Sequence, residues 1–498
     1  MAVPPLPDMI QILDRSEQFG RNPGLRDHAR LWLLWGPAAR ERVAAEAAEL
    51  ARPSIRPSTL RAVGRTGVDL ARGVAPGLRD DAKRRMREGP LEEGTALKHL
   101  QELVKAGGST YIKLGQFIAT AQGLLPDEWV DAFGWCRDTA TPLPPGLAED
   151  RFERRFEVPV DSVFASFDPE PLGAASIGQV HAATLHDGTE VVVKIRRPGL
   201  RGQFDRDLRS MALAAAAAEK ASRSARVANL TGFVELFARL VLEEVDFRFE
   251  ALNQVELALA AEAAGQDYVR FPQPVPHLTA EDVFVMTRVD GVPYDKALEA
   301  YPSVVDGERL LNLAITGTLE HMVAYGLFHG DLHAGNVLIN DKGDFSLIDF
   351  GIAGRIDADQ RAATVKFLFG FGQNNTKLQL EGLQAFGAVP EGADLDELAA
   401  DIEARLNAAD PTILSREGEL TVDKLGMALG SIIRVLAGNG FTLPRELVLF
   451  FKNLLYLNGF AATLAPNTNL FDQILPTFTF FVSKYPDELA QIMQDVQQ

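Results

Sequence analysis

The sequence predicts an α+β chain in two lobes, a small β-rich one followed by a larger helical one, on three observations. Two short β-rich runs, Val180–Leu185 and Glu190–Ile195, are joined by His186-Asp187-Gly188-Thr189, and Asp-Gly between such runs signals a hairpin. From about Asp357 onward the pattern is helical throughout. The polar motifs gather in loops and at strand ends, an arrangement that suits a cleft between lobes.

Each element follows from its residues. Positions 1 to about 95 read as Ala/Arg-rich helices broken by Pro and Gly. Leu97, Leu100, Leu103 and Val104 recur at helical spacing, and Pro126 ends that pattern. Pro142, Pro144, Pro145 and Gly146 read as a linker. After the hairpin, a helix is expected from about Pro198 through the alanine run 214–218, and a single helix from about Leu230 to Ala264. Val283–Val289 reads as a strand closed by Asp290-Gly291. A helix Gly307–Tyr325 then leads into a polar loop, followed by short strands Val337–Asn340 and Asp344–Ile348.

Composition bounds the function. At 498 residues the chain is long enough for two or more domains, and 46% hydrophobic with 24% charged residues is a globular balance. A net charge of -18 argues against a general nucleic-acid binder, because phosphate repels it. The single cysteine, Cys136, excludes an internal disulfide and a cysteine-ligated zinc site and fits a reducing compartment. Pro4, Pro5, Asp8 and Asp14 stand where a secretory leader needs an apolar run. No membrane-spanning segment is expected: the nearest apolar run, Leu454–Ala465, contains Asn458 and stops at Pro466. The first 100 residues carry 17 basic and 13 acidic side chains, with a basic stretch from Arg52 to Arg87. That stretch reads as a solvated helix face, with a surface for anionic lipid as the alternative.

The chemistry-bearing residues come in a fixed order. Asp331 in a loop, Asn336 five residues on, a hairpin, then Asp349-Phe350-Gly351 at a strand end form the layout that phosphoryl transfer requires. Asn336 and Asp349 supply hard oxygen ligands for Mg²⁺, and Asp331 is the residue to accept a hydroxyl proton or orient a water. His329 and His333 are four apart, but Gly330 between them argues against a helical zinc pair. Lys194 ends the apolar run Val191-Val192-Val193 and is costly to bury unless paired. Glu250 is its assigned partner, while Glu244 and Asp246 form a second acidic group. On one straight helix Glu244 and Glu250 point about 120° apart, so both cannot face one lysine. The segment 171–180 reads as a loop over phosphates. It lacks the Lys-[Ser/Thr] of a Walker A loop and has small side chains in place of glycines. Lys113 and Gln116 share a helix face, and Gly115 between them permits a close approach.

Together these motifs resemble the UbiB/AarF family of atypical protein-kinase-like proteins over roughly residues 95–360. The resemblance is carried by Lys113-Leu114-Gly115-Gln116 (KxGQ) with Leu124-Leu125-Pro126, the alanine-rich loop Ala174–His181, and Lys194. It is also carried by Glu244-Val245-Asp246 (ExD) with Glu250 and Asn253, by His329–Asn336, and by Asp349-Phe350-Gly351. Aminoglycoside and choline kinases share the His-Gly-Asp…Asn pattern and a metal-binding Asp, but do not carry the KxGQ helix, the ExD motif and the alanine-rich loop together. The resemblance implies a bilobal protein-kinase-like fold with a helical extension at 1–95, a KxGQ region at 96–150 packed across the nucleotide cleft, an N-lobe at 151–292 and a C-lobe at 293–498.

It further implies ATP/ADP and Mg²⁺ as cofactors, with Asp331, Lys194 and Glu250 as the catalytic set. Ala174, Ala175, Ser176 and Ile177, with Lys194, would hold the nucleotide, and Asn336 and Asp349 the metal. Lys113, Gln116, Glu244 and Asp246 would be regulatory, Lys113 lying against both acids. The expected function is an ATP/Mg²⁺-dependent kinase or ATPase supporting isoprenoid quinone or lipid metabolism. The expected location is cytoplasmic, with peripheral contact at the inner face of the membrane, and the expected partners are nucleotide and an isoprenoid or quinone-precursor lipid. The alternatives are a nucleotide-binding scaffold without turnover and a small-molecule kinase. Gly330 replaces the Arg of HRD and no Ala-Pro-Glu follows Asp349, so activation by loop phosphorylation is not expected.

Overall fold

A computed structural model describes residues 6–53, 95–106, 108–119, 127–137, 142–221, 229–410, 422–439, 441, 443–466, 468, 471–487 and 490. The basic stretch beyond residue 53 and Leu124-Leu125-Pro126 lie outside them. The chain forms two compact units: residues 37–248 with 277–287, and residues 1–36, 249–276 and 288–498.

The first unit is built on an antiparallel sheet in the order β1-β2-β3-β6-β5, where β1 is Phe164–Ala174, β2 Gly178–Leu185, β3 Glu190–Arg196, β5 Pro274–Thr279 and β6 Val283–Thr287. The last three residues of β5 belong to this unit. The β2–β3 hairpin turns where Asp187-Gly188 predicts it. Gly188 takes a φ of +87°, and Thr189 N–H donates to Asp187 Oδ1 at 2.9 Å. β3 is central, and Val191, Val193 and Ile195 are fully buried. β1 was not expected. It carries Pro169 and Pro171, which lack a ladder donor, and it lies at the sheet edge, where proline is tolerated. Because β1 runs to Ala174 and β2 starts at Gly178, the expected loop shrinks to Ala175-Ser176-Ile177, closed by Ala175 N–H on Gly178 O at 2.8 Å.

The expected single helix from Leu230 to Ala264 is two, Leu230–Glu244 and Phe247–Ala263. Asp246 breaks it by capping: its carboxylate accepts from Arg248 N–H at 3.1 Å, while Phe247 N–H donates to Glu281 O at 3.1 Å. Glu244 and Glu250 therefore sit on different helices, and the angular argument from one straight helix does not apply.

The second unit is mostly helical. Its small sheet runs β4-β10-β9-β7, with β4 Val269–Arg270, β7 Val292–Pro293, β9 Val337–Ile339 and β10 Phe345–Leu347. β8 (Leu327–His329) pairs with β11 (Ala353–Arg355), which fixes the two ends of the polar segment 329–353. Ile339, Phe345, Leu310, Leu311, Phe460 and Leu464 form one buried core beneath the β9–β10 hairpin. A second core packs Leu13, Phe19, Leu25 and Leu33 on Leu252, Val255 and Leu259.

One apolar helix is longer than the sequence suggests. It runs Arg445–Leu464, 20 residues that include an 18-residue window with a mean hydropathy of 1.4, so by length and composition it passes as a membrane span. This corrects the reading that stopped at Leu454–Ala465. The helix starts nine residues earlier, and 61% of its apolar window is buried inside the protein.

Candidate active site

The candidate residues fall into two groups, one in each unit. In the sheet-bearing unit, Lys113 on the helix Ser109–Ala119 forms an ion pair with Glu244 at the end of Leu230–Glu244. Both side chains are mostly buried, so the pair is little screened by water. The described contacts of Asp246 go instead to Arg248, whose Nε and terminal nitrogen donate to it at 2.9 and 2.6 Å. Gln116, one turn after Lys113, donates to Cys136 O at 2.9 Å and accepts from Ser176 Oγ at 3.1 Å. This side chain ties the KxGQ helix to the alanine-rich turn. The turn is held from its other side by Arg197, whose Nε donates to Ala175 O at 3.0 Å and whose N–H donates to Ile177 O at 2.8 Å. Ser176 and Ile177 are buried, Ala174 is half-buried and Ala175 exposed.

Gly115 is required where it stands. A Cβ there would lie 2.4 Å from Cys136 Sγ and 3.0 Å from Val104 Cγ1. Lys194 is buried in β3, opposite Val180 of β2 and Phe284 of β6.

In the helical unit, His329 organises the polar loop. Its Nδ1 accepts from Asp331 N–H at 3.0 Å and its Nε2 lies 2.5 Å from Asp349 O. A carbonyl can only accept, so the ring is the Nε2–H tautomer. Burial pushes its pKa down, against the pull of Asp349 and Asp331, and keeps it neutral. One imidazole thus joins the backbone of Asp331 to that of Asp349. Gly330 leaves no room for the arginine of HRD, since even a Cβ would lie 2.5 Å from Ile352 Cγ2.

Asp331 is held by residues the sequence reading did not single out. Its Oδ1 accepts from Lys452 Nζ at 2.8 Å and from Tyr456 OH at 2.7 Å. His333 Nε2 lies 3.8 Å from the other oxygen. Burial alone would raise this carboxyl, but the charge of Lys452, His333 and the two hydrogen bonds outweigh it and hold Asp331 well below the ordinary range. Asn453, beside Lys452, donates to His329 O at 2.5 Å. Lys452, Asn453 and Tyr456 all lie on the apolar helix Arg445–Leu464. A lysine and an asparagine inside Phe450-Phe451-Lys452-Asn453-Leu454 are the signal that could have found them, because burying such groups requires partners.

Asn336 Nδ2 donates to Asp331 O at 3.0 Å, which leaves its Oδ1 as the atom suited to a cation. Asp349 Oδ1 accepts from Gly351 N–H at 3.0 Å. Glu250 accepts from Phe350 N–H at 3.3 Å, and Asn253 donates to Phe350 O at 2.7 Å, so one helix turn grips both sides of the residue after Asp349. Phe350 itself is fully buried against His329 and Phe271. Among the described residues no group of three or more His, Cys, Asp and Glu could hold a metal. One amide oxygen and one carboxylate, both hard donors, nevertheless fit Mg²⁺, which keeps several waters and takes further oxygens from phosphate.

Residues 136–381 match the ABC1 atypical kinase-like domain. An uncharacterized protein of Mycobacterium tuberculosis is 31% identical over 408 residues, 81% of each chain. An uncharacterized chloroplastic aarF domain-containing protein kinase of Arabidopsis thaliana is 31% identical over 392 residues, 75% of this chain and 72% of that one. A probable protein kinase UbiB of Pseudomonas putida is 30% identical over 391 residues, 78% of this chain and 70% of that one. A solved Mycobacterium tuberculosis protein in complex with erythromycin is 22% identical with a TM-score of 0.45, covering 78% of this chain and 98% of its own.

Proposed function

Because the chain belongs to the ABC1 atypical kinase-like family, with relatives named UbiB and aarF domain-containing kinases, we propose that it is an ATP- and Mg²⁺-dependent kinase or ATPase. We propose that its work supports isoprenoid quinone or lipid metabolism, the association implied by the family resemblance. The observation that carries the reading is the joint fixing of Asp331, Asn336 and Asp349. His329 links the first to the third, and Asn336 bonds the backbone of the first.

Asn336 and Asp349 would hold the metal, which when bound neutralises phosphate charge. Asp331, kept ionised by Lys452 and Tyr456, orients the attacking hydroxyl or water and receives its proton as the bond to phosphorus forms. Its depressed proton affinity makes it a weak base, which suits a loose transition state, in which the nucleophile's proton is lost late. Lys194 is the cation for the nucleotide phosphates, and Ser176 and Ile177 of the turn, whose Ala175 N–H is taken by Gly178 O, are the residues to offer backbone amides to them. The Lys113–Glu244 pair and the Gln116–Ser176 bond tie the KxGQ helix to its surroundings and are the proposed points of regulation.

The test is phosphate release from ATP with Mg²⁺. Asp349→Asn and Asp331→Asn should each lower turnover by about 100-fold or more. Undiminished release in Asp349→Asn defeats the assignment. Mg-nucleotide binding that stabilises the protein without any phosphate release, lipid or quinone precursor present, would support the scaffold reading instead.

A further inference from the structure

The two peptide groups that follow Asp349 are both pinned. In the first, Asp349 O accepts from His329 Nε2 at 2.5 Å, and Phe350 N–H donates to Glu250 Oε1 at 3.3 Å. In the second, Phe350 O accepts from Asn253 Nδ2 at 2.7 Å, and Gly351 N–H donates to Asp349 Oδ1 at 3.0 Å. A peptide group is planar, so the carbonyl of Phe350 and the N–H of Gly351 turn together. The Asn253 amide therefore sets the direction of the N–H that orients the Asp349 carboxylate.

An asparagine amide presents either its oxygen or its NH₂ to a neighbour, and only the NH₂ suits a carbonyl. Arg355 makes that choice. Its guanidinium can only donate, and one terminal nitrogen gives its two hydrogens to Asn253 Oδ1, at 2.7 Å, and to Glu256 Oε2. With Oδ1 engaged, Nδ2 faces Phe350 O. Asn253 is buried, so water is a poor substitute for either bond. Arg355 stands on β11, which pairs with β8, the strand that ends in His329. One two-stranded ladder thus carries an anchor for each of the two peptide groups.

We propose that Arg355 is a positioning residue for the metal site: through Asn253 and the Phe350–Gly351 peptide it aims the Asp349 carboxylate. The inference rests on the reading of Asp349 as a metal ligand. None of the motifs behind that reading includes Arg355. The competing role is purely structural, with Arg355 as the countercharge of Glu256, whose side chain is 11% exposed.

The experiment separates the two roles. Full-length protein is titrated with Mn²⁺ in the presence of a non-hydrolysable ATP analogue, bound metal is read by electron paramagnetic resonance, and thermal midpoints are recorded alongside. Arg355→Met should weaken Mn²⁺ binding by about tenfold, the scale of losing a partner behind a metal ligand. It should also lower the midpoint by stranding Glu256. Arg355→Met with Glu256→Gln should regain the midpoint and keep the weak binding, and it decides the matter if the single variant does not fold. Asn253→Asp keeps an acceptor for Arg355 but loses the donor to Phe350 O, and it should weaken Mn²⁺ binding to a similar extent. Wild-type Mn²⁺ affinity in Arg355→Met, or affinity that recovers with the midpoint in the double variant, overturns the proposal. If those variants still release phosphate at the wild-type rate, the kinase reading stands without it. Weakened Mn²⁺ binding in Arg355→Met, in a protein that never releases phosphate, defeats the kinase reading and leaves this one standing. A wild type that binds no Mn²⁺ overturns both.

Discussion

Lys452 donates to Asp331 Oδ1 at 2.8 Å across 121 residues of sequence, and the two side chains are 11% and 22% exposed. A mostly buried carboxylate beside an ammonium stays ionised, and removing the ammonium leaves a charge without compensation. The apolar helix Arg445–Leu464 thereby becomes part of the support for the proposed catalytic residue.

Lys452→Met should therefore cost about 3 kcal/mol of stability at pH 7 and lower turnover, with Mg-nucleotide binding retained. The folded-state pKa of Asp331 is depressed, so its contribution is full above the unfolded value of about 3.9 and is lost as pH falls through the folded value. The gap between wild type and Lys452→Met in urea denaturation should be constant from pH 7 to 5 and narrow below about pH 4. A gap independent of pH would show that Lys452 does not act through the Asp331 charge.

Tyr456→Phe removes one charge-assisted hydrogen bond and keeps the ring, so the expected loss is smaller, about 1–2 kcal/mol. Lys452 and Tyr456 share one acceptor oxygen, and the double variant should be non-additive. A double-mutant cycle with a coupling of zero would contradict the shared arrangement.

Breaking the Lys113–Glu244 pair from either side should lower the thermal midpoint, because each single variant strands a mostly buried charge. Lys113→Met with Glu244→Gln should recover much of the loss, since neither charge then remains. If the double variant is as unstable as the sum of the singles, the two residues do not act as a pair.

Gly115→Ala should destabilise by about 1–3 kcal/mol, because the new methyl collides with Cys136 Sγ and crowds Val104. Combining it with Cys136→Ala should restore part of the loss. A neutral Gly115→Ala in thermal denaturation would mean that the helix Ser109–Ala119 does not pack as closely as described.

His321 adds a pH dependence of its own. Its folded pKa of about 4 lies below the ordinary 6.5, so the unfolded chain binds more protons between those values. Its stabilisation is complete above about pH 6.5 and falls as pH drops toward 4, by about 3 kcal/mol in all. His321→Phe should flatten this part of the stability curve. An unchanged slope between pH 6.5 and 4 would assign the acid loss to other groups.

Local sequence determined the parts whose partners lie close along the chain. The hairpin at 186–189 follows from Asp187-Gly188 and the branched runs around it, because a turn and its register are short-range geometry. The order of Asp331, Asn336 and Asp349 was readable because a single hairpin carries their spacing. Gly115 was marked as a place of close approach, while its neighbours, Cys136 and Val104, came only with the structure.

Tertiary structure decided what depends on groups distant in sequence. The break at Asp246 needs a carbonyl from Glu281 to take the Phe247 N–H, and no local pattern reports that acceptor. The edge position of β1 accommodates prolines that local propensity counts against a strand. Lys452, Asn453 and Tyr456 lie in an apolar helix over a hundred residues after the loop they hold. The sequence by itself determined which chemistry the loop carries, since those groups and their spacing are local. Only the folded chain decided the charge state and orientation of Asp331, because these are set by burial and by donors brought close in space.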